Sequence, residues 1–224
     1  NNLVNHGRER YRAGRYRDAT RVFGLVLVID PSSATATMMH ASALELSHPR
    51  APFQGPARRA TVLAPLSADG WKLAMHGSLA HGNHIGAQDR ARRHLVLSPN
   101  SHDGWLTLAR AYFRGGQPEE ALAHIRHART MAPANLDIQT AQIRCLFQLG
   151  LFSEALLAVE KAANLGASGP EHDFEHARIA RSAGRPDIAI PLLAKLVAEH
   201  PSYRAKREIL ELTATTDNLR GKLV

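Results

Sequence analysis

Cysteine is nearly absent from these 224 residues. Cys145 stands alone, so no intrachain disulfide can form, and a reducing compartment is the expected setting. Aromatic residues make up only 5% of the chain, which leaves little for stacking on nucleic-acid bases. Lysine is confined to Lys72, Lys161, Lys195, Lys206 and Lys222. No apolar run is longer than that from Leu25 to Ile29, far short of the roughly 20 residues that span a bilayer. The first residues carry no apolar signal-peptide core. A cytoplasmic protein with no membrane partner is therefore expected. The chain begins without methionine, which allows it to be a piece of a longer protein. The glycine patterns that cradle phosphates are missing, as is G-x-S-x-G, and no nucleophile is paired with a base. The expectation is a non-catalytic chain without a cofactor.

What is present is alanine, leucine and arginine. The chain is 44% hydrophobic and 21% charged, and its net charge of +8 gives an isoelectric point near 10.2. That surface suits acidic partners. A stronger signal is internal. Proline falls at Pro31, Pro65, Pro99, Pro133 and Pro201, with Ala167 in the one open slot of a 34-residue period. Glycine keeps the same period at Gly14, Gly82, Gly116, Gly150 and Gly184, with His48 in the missing place. Alanine comes five residues later at Ala19, Ala87, Ala121, Ala155 and Ala189. Trp71 and Trp105 share the spacing.

Each recurring residue has a physical reason. The glycine serves a tight turn that needs positive φ. The alanine is small because two helices cross over it. The proline ends the second helix and begins the link to the next copy. Ser33, Ser67, Ser101 and Asn135 come next as helix N-caps. Each copy is thus a helix of about 13 residues, a turn, a second helix and a capped restart.

This pattern resembles the tetratricopeptide repeat family. The copy "DGWLTLARAYFRGGQPEEALAHIRHARTMAP", residues 103–133, carries Trp105, Leu108, Ala109, Tyr112, Gly116, Ala121, Ala128 and Pro133 at signature positions. The resemblance spans residues 1–201. It implies an all-α, right-handed superhelical solenoid of six helix-turn-helix units, with first helices lining a concave groove. Neighbours share stability because no unit can bury its apolar face alone. Residues 203–215, "YRAKREILELTAT", suit a capping helix, so residues 202–224 are expected to be a cap and tail. In residues 47–56, "SHPRAPFQGP", three prolines interrupt the second repeat. The expected helix there is shortened to about 57–63 behind an irregular loop around Phe53.

Two constellations compete for function. His172-Asp173-Phe174-Glu175-His176 fits the inverted zinc-protease pattern H-x-x-E-H. In the 34-residue frame it is only the start of a first helix: Pro170 opens it and Glu171, Asp173 and Glu175 complement its dipole. His176 falls in a slot that His6 and His40 also fill, so no metal site is expected. Cys145 sits in a slot otherwise filled by Ala43, Gly77, Ala111 and Ile179 and is expected to be packing. The family resemblance points elsewhere, to the ninth position of each repeat, which faces the groove. Here it holds Arg8, Ser42, His76, Arg110, Arg144 and Arg178, with Arg114 and Arg181 nearby. Leu79, Phe113 and Phe147 recur beside them. Guanidinium forks bind carboxylates, so a protein or peptide partner of acidic character is expected. The second position holds Asp69, Asp103, Asp137 and Glu171, which allows a competing reading as salt bridges between repeats. The family's carboxylate-clamp subtype uses asparagine at the ninth position, which this chain lacks. RNA is disfavoured by the scarce aromatics and the acidic column. An accessory domain of a larger enzyme, such as a glycosyltransferase, sulfotransferase or oxygenase, is the alternative.

Overall fold

Alanine and leucine at helical spacing, broken by glycine and proline, give a chain of helices. A computed structural model describes residues 2–47 and 53–199. Among these residues there are twelve α-helices and no strand. The chain divides into two compact units, residues 1–131 and 132–224. The first unit holds α1 (Asn2–Arg12), α2 (Tyr16–Ile29), α3 (Ala34–Ser47), α4 (Gln54–Leu63), α5 (Ala68–Ala80), α6 (His84–Leu97), α7 (His102–Arg114) and α8 (Pro118–Met131). The second holds α9 (Leu136–Gln148), α10 (Phe152–Asn164), α11 (Pro170–Ser182) and α12 (Pro186–Glu199). Helices pack in pairs within each repeat, and first helices of successive repeats also meet, α1 with α3, α3 with α5 and α5 with α7. This is an all-α helical repeat fold.

The periodic residues do what their chemistry predicts. Gly14, Gly82, Gly116, Gly150 and Gly184 all take φ of 72–78° in the turn between paired helices, a region costly for any residue with a Cβ. The alanines five residues on are fully buried at the crossings. Ser33, Ser67 and Ser101 each accept a backbone N–H three residues ahead, and Asn135 accepts two, from Asp137 and Ile138. Each helix start thus satisfies donors that would otherwise be orphaned.

The fourth position of the repeat carries a second device. The indole N–H groups of Trp71 and Trp105 donate to the carbonyls of Pro65 and Pro99 at 2.7 and 2.9 Å. In the next repeat Gln139 replaces tryptophan and its side-chain amide donates to the Pro133 carbonyl at 2.9 Å. The linker is pinned by the bond, and the ring is one of two ways to make it.

The second repeat differs from its expectation. Its second helix begins at Gln54, three residues before the expected start. Pro56 falls in the first turn, where backbone N–H groups have no intrahelical partner, so its missing donor costs nothing. Phe53 is 4% exposed and packs with Ala41, Ala57, Leu73 and Ala74. It is a core residue rather than the tip of a loop. Residues 48–52 and the helix expected over 203–215 lie outside the described residues.

Candidate functional site

The first helices carry the residues expected to bind a partner, and a regular diagonal organises them. Tyr11 and Ser42 share a hydrogen bond of 2.7 Å. Glu45 meets His76 at 2.7 Å. Lys72 meets Asp103 at 3.2 Å. In the second unit, Arg144 meets Glu175 at 3.6 Å, and Arg178 lies over the Phe147 ring at 4.4 Å. Every one of these pairs joins residue i to residue i+31. Neighbouring first helices thus face each other offset by one turn from the 34-residue period. In three of these pairs, position twelve of one repeat meets position nine of the next.

In the first unit one residue of the expected site, His76, is paired with carboxylates. His76 is held between Glu45 and Asp103, with the Asp103 contact at 3.2 Å. Burial by itself would lower the His76 pKa, but the two carboxylates outweigh it and raise it to about 9. Burial likewise favours protonation of Asp103, yet His76 and Lys72 beside it hold its carboxyl well below the usual range. The result is a charged cluster tying α3, α5 and α7. This is one rung of the ladder between repeats that the acidic column allowed. Arg114 reaches back from α7 to donate to the Leu79 carbonyl at 2.8 Å. Arg110 and Phe113 are half-buried on the same helix, and Arg8 is exposed on α1. Leu79 is buried against Ala87 and Ala111, so it belongs to the core.

The second unit is different in charge. Arg144 and Arg178 share one carboxylate, Glu175, at 3.6 and 3.8 Å. Phe147, half-buried, supports the face of Arg178 and makes an edge contact with Phe152 at 5.4 Å. Arg181 is exposed at the end of the same helix. Two guanidiniums beside one acid leave positive charge next to an aromatic surface.

The Cys145 thiol is buried, and burial pushes its pKa up to about 11, so it is not a thiolate at neutral pH. The His172 and His176 rings meet edge-on at 6.1 Å. Burial, then the neighbouring His172, lowers the His176 pKa. Asp173 pairs with Lys195 at 3.1 Å, and Glu175 serves the arginines. Among the described residues no group of three or more His, Cys, Asp or Glu side chains could hold a metal ion. No described helix is long and apolar enough to cross a membrane.

Tyr11, Glu45 and Lys72 do not stand out when equal positions are compared at 34-residue spacing. A scan for complementary pairs at a spacing of 31 is the sequence signal that finds them.

Comparison with known proteins places this arrangement. A family model for the tetratricopeptide repeat matches residues 106–171. A search of curated protein sequences finds no match. Among solved structures, PilW, described as a widely conserved type IV pilus biogenesis factor, is 18% identical with a TM-score of 0.81, covering 93% of this chain and 96% of PilW. PilF of Pseudomonas aeruginosa is 16% identical with a TM-score of 0.75, covering 93% of this chain and 95% of that one. YrrB, described as a TPR protein with an unusual peptide-binding site, is 15% identical with a TM-score of 0.65, covering 84% of this chain and 97% of YrrB. At these identities the likeness is one of fold. Residues 106–171 match the tetratricopeptide repeat, and the chain as a whole shares its helical repeat fold with these structures.

Proposed function

We propose that the chain is a non-catalytic scaffold that binds a partner protein or peptide on its first-helix faces, with the patch of Arg144, Phe147, Arg178 and Arg181 as the best-equipped contact. The observation that carries this is the sharing of Glu175 by two arginines, one of which, Arg178, lies over the Phe147 ring. A partner carboxylate replaces water at the second guanidinium, and an apolar side chain beside it covers Phe147. Arg8, His76, Arg110, Phe113 and Arg114 form the corresponding face of the first unit, where Glu45 and Asp103 temper the charge. The described peptide-binding site of YrrB, a protein of like fold, supports a peptide as the ligand.

Selection from a random peptide library displayed on phage tests this directly. Enriched peptides are expected to combine acidic and apolar residues and to bind more weakly as salt rises from about 0.1 to about 0.5 M. Binding at least tenfold weaker is expected for the double variant Arg144→Ala, Arg178→Ala. Full affinity in that variant would overturn the assignment of this face.

A further inference from the structure

Apart from the residues of the proposed first-helix face, the first unit holds a cleft of about 470 Å³ in the third repeat, between the linker before α5, the start of α5 and the exposed side of α6. Its lining includes the apolar side chains of Leu66, Trp71, Val96 and Leu97. Leu66 is 85% exposed and Val96 81% exposed, which is unusual for large apolar side chains gathered in one place. Its rim carries Arg92 and Arg93.

The next repeat builds the same flank differently. Where repeat three has Leu66 and Val96, repeat four has Asn100 and Thr130. The Trp105 ring is covered by His124 and His127, at 5.7 and 4.6 Å between ring centres. The counterpart of His124 is Arg90, which turns away to donate to the Ser78 hydroxyl at 2.8 Å. The counterpart of His127 is Arg93, whose guanidinium lies over Trp71 at 5.6 Å. So one repeat covers its ring and makes the surroundings polar. The other places an arginine over its ring and keeps exposed apolar side chains around it.

We infer that this cleft docks an acidic segment of a partner protein that inserts one bulky apolar side chain beside Trp71. The cleft is concave and of the size that accepts such a side chain. Charge complementarity selects the flanking residues. Neither Arg92 nor Arg93 has a carboxylate partner among the described residues. Each is held against a ring, Arg92 over Tyr112 at 5.8 Å with its Nη2 donating to the Tyr112 hydroxyl at 2.6 Å, and Arg93 over Trp71. The hydrogen bond tethers Arg92, the Trp71 ring lies beside Arg93, and both guanidiniums keep N–H groups for a carboxylate. Asp89 is the one acid of the lining. It repels a carboxylate from its own side and so orients the segment toward the arginines.

Trp71 is itself the probe. Trp105→Phe leaves it as the sole tryptophan of the chain. That variant is titrated with a heptapeptide of acidic residues around one central phenylalanine, while Trp71 emission is followed. A saturable shift is expected. Affinity at least tenfold lower is expected when the phenylalanine is replaced by serine, when the acids are replaced by glutamines, and in Val96→Glu, an exposed position that leaves the core intact. The double variant Arg144→Ala, Arg178→Ala is expected to bind unchanged, which separates this cleft from the first-helix face. Polarisation of the labelled peptide with the unaltered chain gives the same ranking without the Trp105→Phe change. An absent or unsaturable response overturns the inference, as does an undiminished response in Val96→Glu. So does a Trp71 response to phosphatidylserine vesicles or oligouridylate in place of the peptide.

Discussion

His76 shows how one side chain can change meaning between sequence and structure. In the sequence it is a histidine in a column of arginines. In the fold it is a cation clamped by Glu45 and Asp103. Its folded pKa of about 9 lies above the ordinary 6.5, so its stabilising contribution is full below pH 6.5 and is lost as pH rises through 9. Asp103 is held below its ordinary 3.8, so its contribution is present above pH 3.8 and fades as pH falls below it. The cluster therefore acts at full strength between those limits. His76→Gln is expected to lower stability by roughly 1–3 kcal/mol at pH 6, because two largely buried carboxylates lose their cation. It is also expected to remove most of the fall in thermal midpoint between pH 6.5 and 9. Thermal unfolding followed by circular dichroism across that range checks both. A variant whose pH profile parallels the parent would show that the pairing does not persist in solution. The pairing itself is not legible in a 34-residue comparison, since the offset to 31 comes from how first helices pack against each other, which no single repeat encodes.

At the scale of the helix, the elements legible in the sequence are those fixed by local chemistry. Positive φ after the first helix demands glycine, and side-chain oxygens at Ser33, Ser67, Ser101 and Asn135 cap the helices they precede. Both requirements act within a few residues, so both are written in the local sequence. Asn135→Ala is expected to cost about 1 kcal/mol, and Asn135→Gly only a few tenths, in urea unfolding. The bond from Gln139 to the Pro133 carbonyl is hidden from the sequence, because tryptophan and glutamine share no hydropathy, only an N–H donor of sufficient reach. Gln139→Leu keeps the bulk and removes the donor. It is expected to cost about 1–2 kcal/mol by the same measurement, the penalty of a linker carbonyl left unpaired. The start of α4 differs from its expectation for a related reason: proline weighs as a helix breaker in a sequence, whereas in a first turn it breaks nothing. Pro56→Ala is accordingly expected to stay within about 0.5 kcal/mol of the parent.

At the scale of the whole molecule, a repeat array has no single core. Each repeat buries its apolar face against its neighbours, so stability is a sum of local terms and nearest-neighbour interfaces. This is why composition and period identify the fold class while saying little about where a partner binds. The period describes what all repeats have in common, and binding depends on where they differ. The excess arginine around Glu175 and the arginine, rather than histidine, over the ring of Trp71 are both departures from the pattern. The same locality gives a physical expectation for damage. Leu193 is buried in the last described helix, and Leu193→Ala is expected to cost about 2–5 kcal/mol to the interface it serves. In a molecule with one core that loss would lower amide protection everywhere. In a repeat array it opens the end nearest the cavity first. Hydrogen exchange read by mass spectrometry is therefore expected to show faster exchange in α11 and α12, with α2 to α7 close to the parent. Uniform loss of protection along the chain would mean that the repeats fold as one cooperative block, and binding surfaces on different repeats would then be energetically coupled rather than independent.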